Sequence, residues 1–76
     1  MKTRLENIGH NIRQRRKLLN LLQIDVAVDV GIDRAYLSEI ENGRTNVTIG
    51  ILYAIADSLN ISLVDLLAEP SEQIKS

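Results

Sequence analysis

The chain has 76 residues, 45% of them apolar, with nine Lys and Arg against ten Asp and Glu. That length holds one domain around a single core and leaves little room for an elaborate active site. Cysteine is absent and His10 is the sole histidine, which rules out disulfides and thiolate chemistry and leaves too few ligands for a zinc site.

No metal and no cofactor is therefore expected. The opening MKTRLENIGHNIRQRRK lacks an apolar h-region, and no apolar run approaches about 18 residues, so neither a signal peptide nor a membrane span is expected and a cytoplasmic location is. Net charge is −1, but it is unevenly spread. Residues 1–17 carry Lys2, Arg4, Arg13, Arg15, Arg16 and Lys17 against Glu6, a local +5, while residues 45–76 carry Lys75 against Asp57, Asp65, Glu69 and Glu72, a local −3. The asymmetry suggests one basic face, of the kind phosphates reward, with a merely solvated charged helix as the alternative.

Leu5, Ile8, Ile12 and Leu19 follow helical spacing, with Arg16 filling the stripe position between the last two, which predicts a first helix over about 4–18. Asn20 tolerates the left-handed conformation that ends helices. The next run, IDVAVDV from Ile24 to Val30, alternates like a strand and is rich in β-branched residues. A lone strand would leave its backbone groups unpaired, so a short helix with Val26, Ala27 and Val30 inward is the better reading, though pattern alone leaves both open.

Beyond Gly31 the boundary signals strengthen. Asp33 is a candidate N-cap, with Ile32 and Leu37 placed as a hydrophobic staple for a third helix that Gly43 ends. At 100° per residue Tyr36, Leu37 and Ile40 cluster on one side; Arg34, Ala35, Ser38, Glu39 and Asn42 spread over the other. Val47 and Leu52 repeat the staple around Thr48, opening a fourth helix whose Leu52, Ile55, Ala56 and Leu59 hold the i, i+3, i+4, i+7 positions. Asn60 closes it. Ser62 and Asp65 form a capping-box pattern before Leu66 and Leu67, and Pro70 stops this fifth helix. Residues 1–69 thus read as an all-α domain of five short helices, and 70–76 as a disordered polar tail.

Helices two and three, joined by Gly31 and Ile32, can hold a helix-turn-helix. Residues QIDVAVDVGIDRAYLSEIENGRTNVT resemble the core signature of the lambda-repressor and Cro (XRE-type) family of helix-turn-helix regulators, with Gln23, Ala27, Gly31, Leu37, Ile40, Glu41, Gly43, Leu59, Ser62 and Leu66 in family positions. Within that family, DRAYLSEIENGRTNVT most resembles the controller proteins of restriction-modification systems, which share Asp-Arg-x-Tyr at the start of this helix. The resemblance implies a lambda-repressor-like fold and a helix at about 34–42 lying in the major groove of double-stranded DNA.

Residue chemistry is compatible with that role. Arg34 suits guanine O6 and N7, and the Ala35 methyl suits a thymine methyl. Tyr36, Ser38 and Glu39 complete the candidate base-reading set; Tyr36 is as readily half-buried, and Glu39 is repelled by phosphates unless it accepts from cytosine or pairs with an Arg. Phosphate contacts that position without specifying are expected from Gln23 and Thr48 at helix N-termini and from Asn42, Arg44 and Asn46. Thr48 and Asn46 also serve as a cap and a turn residue. Arg16 in the apolar stripe and Glu41 beside the inward edge of the third helix each lack a partner nearby in sequence, so mutual pairing is the economical solution, and the family carries the same pair.

Leu22 stands where the family usually has a Ser or Thr cap, leaving Asp25 as half a capping box, and Gly50 costs the first turn of the fourth helix about 1 kcal/mol relative to Ala. Ile24 and Val28 are apolar where surface residues are usual and mark a candidate contact patch.

Two or three base contacts at about 1–3 kcal/mol each fall short of the roughly 4–10 kcal/mol that useful specificity requires. A homodimer on a pseudo-palindromic operator, reading heads about 34 Å apart, would double them. Ile51, Tyr53, Val64 and Leu67 on helices four and five are the candidate interface. Catalysis would need paired titratable groups in a cleft, and the sole histidine, His10, sits on a basic helix in a chain without cysteine, so an enzyme is not expected. The rival is a protein-binding module of the same fold, such as an antitoxin gripping a toxin through the tail and the Val28 face.

Overall fold

The computed structural model describes residues 3–69, and the expected tail at 70–76, with Pro70, lies outside the described residues. Five helices follow in order: α1 (Arg4–Leu18), α2 (Gln23–Val30), α3 (Arg34–Glu41), α4 (Ile49–Ser58) and α5 (Leu63–Leu67). None is long and apolar enough to cross a membrane.

Each boundary has a local cause. α1 opens on a reciprocal capping box in which Thr3 Oγ1 accepts from Glu6 N–H at 3.1 Å and Glu6 Oε1 accepts from Thr3 N–H at 2.9 Å, a T-x-x-E signal the sequence reading passed over. Thr48 and Ser62 cap α4 and α5 by accepting from Ile51 and Asp65 N–H. At α2 the cap position is Leu22, which has no acceptor, and only the return bond forms, from Leu22 N–H to Asp25 Oδ2 at 2.8 Å. Asp33 departs from expectation: it occupies the N-cap position of α3, yet its side chain accepts no cap bond. Anchoring of that helix start falls to the staple, with Leu37 fully buried and Ile32 packed on the core.

α1, α3 and α4 end alike. Residues Asn20, Gly43 and Asn60 take positive φ of 59°, 69° and 53°, and the amide after each bonds back to a carbonyl in the last turn: Leu21 to Arg16, Arg44 to Glu39, Ile61 to Ala56. At Gly43 the hydrogen matters twice, since a Cβ there would also come within 2.6 Å of Glu6 Cγ. Gly9 lets α1 lie close against α3; a Cβ there would stand 2.4 Å from the carbonyl oxygens of Ile40 and Glu41.

The run at Ile24–Val30 is helical because burial, not β propensity, decides it. Val26 and Ala27 enter the core, Val30 is half-buried, and Ile24 and Val28 stay exposed. Ile12, Val26, Leu37, Ile55, Leu59 and Leu66 are the largest fully buried side chains, so every helix contributes to one core. α1 packs against α3 and α5, α2 against α3 and α4, and α4 against α5.

Candidate nucleic-acid interface

α3 is clamped from below and bare above. Leu37 and Ile40 fill the core, and Glu41, also on the inward side, carries a fully buried carboxylate. Arg16 reaches it from α1 through two hydrogen bonds, Nε to Oε2 at 2.7 Å and Nη2 to Oε1 at 3.0 Å, and donates a third from Nη1 to Leu21 O at 2.9 Å. Gln23 Nε2 adds 3.0 Å and Arg13 Nε 3.4 Å to Glu41 Oε1. Burial alone would push the Glu41 carboxyl up, but hydrogen bonds from Arg16 and Gln23, the Arg16 charge and the Arg13 bond together hold it below its ordinary value. The Glu41 hydrogen bond likewise raises Arg16, against burial.

The opposite side presents Arg34, Ala35 and Glu39 to solvent, with Tyr36 and Ser38 half-buried at its edges. Arg34 Nη1 donates to Gln23 Oε1 at 3.4 Å, linking the first residue of α3 to the first of α2. Tyr36 donates its hydroxyl to Asn46 O at 3.2 Å, leaving the phenolic oxygen able only to accept. Glu39 finds the Arg partner its charge demands: Arg44 Nη1 lies 3.5 Å from Oε2. Thr48 Oγ1 accepts from Ile51 N–H and keeps its own proton to donate; Asn46 is exposed beside it.

Asn42 is partly engaged in holding the helix end, with one amide proton left to donate. Its Nδ2 donates to Ser38 O at 2.9 Å and its Oδ1 accepts from Arg13 Nη2 at 3.0 Å, so it closes the end of α3 onto α1.

The basic face expected of α1 is largely spent inside the molecule. Arg13 and Arg16 tie α1 to α3, and Arg15 donates Nε to Leu59 O and Nη2 to Asn60 O, each at 2.9 Å, at the end of α4. Asn11, buried, donates Nδ2 to Leu66 O at 2.9 Å and Ala68 O at 2.6 Å, at the end of α5. Apart from the Arg16–Glu41 pair, these tethers join residues 28 to 57 positions apart, beyond the reach of pattern in the sequence. Their one trace in the sequence is that Asn11 and Arg15 share a face of α1 at i, i+4.

A sequence model of the family described as helix-turn-helix matches residues 12–66. Antitoxin PezA of Streptococcus pneumoniae is 40% identical over 62 residues, 82% of this chain, which spans 39% of that relative's length. Control protein C.SmaI of Serratia marcescens is 36% identical, with 82% of this chain and 74% of the relative covered. Among solved structures, the restriction-modification controller protein C.Esp1396I, a tetramer in complex with its natural 35 base-pair operator, superposes with TM-score 0.75 at 27% identity over 88% of this chain and 97% of its own. The chain belongs to the XRE-type helix-turn-helix family of DNA-binding transcriptional regulators.

Proposed function

We propose that this regulator reads a specific duplex with α3 in the major groove and acts as a homodimer on a pseudo-palindromic operator. One observation carries the reading: the Glu41 carboxylate, fully buried and held from α1 and α2, fixes α3 so that Arg34, Ala35 and Glu39 stand outward. Arg34, Ala35, Tyr36, Ser38 and Glu39 are the base-reading set, and Arg44, Asn46, Thr48, the second amide proton of Asn42 and the free N–H of Gln23 face the phosphates. Residues 1–69 act as the DNA-binding domain and work wherever the chromosome lies.

Exposed Ile49 and Tyr53 on α4, at i, i+4, and Val64 and Leu67 on α5, at i, i+3, supply the apolar face for a second copy. Ile51, included from sequence, is packed on the core instead, and Ile49 replaces it. Likeness to C.SmaI and to the operator-bound C.Esp1396I supports a restriction-modification controller as the subclass.

Selection of bound duplexes from a random pool tests this reading. Enrichment of two inverted half-sites is expected; no enrichment would overturn it. A second reading, an antitoxin-like module gripping a protein, is favoured by the likeness to PezA and by Val28, which is 72% exposed on α2 next to Ile24. A partner bound with steep preference while no duplex is enriched would favour it.

A further inference from the structure

α5 has five residues, far too few to hold a helix by itself, and it buries only Leu66. Yet it carries Val64, 78% exposed, and Leu67, half of the apolar face assigned to the second copy. What fixes its direction is a side chain on another helix. Asn11, only 9% exposed, gives both amide protons of its carboxamide to the end of α5, to Leu66 O and Ala68 O, the first of these bonds being buried. One turn on, Arg15 gives two bonds to Leu59 O and Asn60 O, at the turn where α4 passes into α5.

A single face of α1 therefore caps the C-termini of both helices that make the dimer surface. Helix C-termini present unpaired carbonyls, and donors supplied from outside the helix satisfy them while setting its angle. From this geometry we infer that Asn11 is a positioning residue for self-association: its two hydrogen bonds hold α5 at the tilt that brings Val64 and Leu67 into one surface with Ile49 and Tyr53. The inference rests on the dimer face of the proposed function. Asn11 touches neither the second copy nor DNA; it acts through α5.

Asn11→Ala removes both donors and keeps Leu66 in place to fill the core. Dimer dissociation is measured by sedimentation equilibrium on the full chain at low temperature, where circular dichroism shows the helices intact. We expect the dissociation constant to rise at least tenfold. Because the variant also melts earlier, it is paired with Gly50→Ala, whose added Cβ meets no atom within 4 Å and removes a helix-destabilising glycine from α4. Gly50→Ala alone serves as the control.

If the pair melts like wild type and dimerises weakly, Asn11 positions the interface. If its dimerisation recovers with its melting temperature, Asn11 is only a stabilising residue and the inference fails. Val64→Glu separates the two claims. Should it leave dimerisation unchanged, the interface is elsewhere and both fall; should it abolish dimerisation while the Asn11→Ala pair associates normally, only the role of Asn11 falls. A wild-type chain that stays monomeric at high micromolar concentration overturns both.

Discussion

Removing Arg16 strips the Glu41 carboxylate of two hydrogen bonds, 2.7 and 3.0 Å, the first its shortest, and frees Leu21 O from a third. Glu41 then keeps Gln23 at 3.0 Å and, as its one remaining charge partner, the half-exposed Arg13 at 3.4 Å, while its own side chain has no exposure. Breaking a buried pair by deleting one partner costs about 3–5 kcal/mol, and the two remaining donors put Arg16→Ala near the lower end, about 3 kcal/mol. In a domain of this size that is roughly a 12–24 °C fall in melting temperature. It is also a large part of the roughly 4–11 kcal/mol expected for the whole chain. Thermal unfolding followed by circular dichroism measures it directly. A variant melting within a degree or two of wild type would refute the account of the pair. Arg16→Met combined with Glu41→Leu should recover much of the loss, since well-packed apolar residues replace a buried ion pair with little net effect.

Two further predictions concern charge. Glu41 is held below the ordinary 4.5, so as pH falls the unfolded chain takes up this proton first; the stability it contributes is complete above that value and is lost as pH drops through its lower folded-state value. Urea midpoints from pH 7 down to about pH 3 should fall more for wild type than for Glu41→Gln, and parallel profiles would remove Glu41 from acid unfolding. Because Arg13, Arg15 and Arg16 bond internally, few cations face phosphate. With about one such contact per protomer, Arg44, since Arg34 reads a base, the slope of log K against log salt for a dimer should be about −2, and a slope near −10 would mean that the basic helix does lie on DNA.

What could be read from the sequence is what neighbours in sequence decide. The caps at Thr48 and Ser62, the left-handed turns at Asn20, Gly43 and Asn60 and the staple before α3 are all closed within four or five residues. Arg16 and Glu41 were also legible, because each breaks an apolar pattern and the two needs are complementary. Misread positions are those whose role is set from far away. Arg13, Arg15 and Asn11 look like a solvated basic helix, yet they face carbonyls and carboxylates that only the folded chain brings near. Asn42 looks like a surface amide and closes α3 onto α1. Asp33 has the right side chain for a cap and does not make one. Ile51 illustrates the same limit at the proposed dimer face, where two positions along α4 separate packed Ile51 from exposed Ile49 on one side and exposed Tyr53 on the other.

The central claim is that a helix poor in charge reads bases while others anchor it. Selection of duplexes from a random pool by wild type and by Arg34→Ala tests it most directly. The account predicts two inverted half-sites for wild type, and for the variant the same motif with preference relaxed at one position in each half. An equal loss of affinity on every sequence, with all positions still preferred, would contradict it.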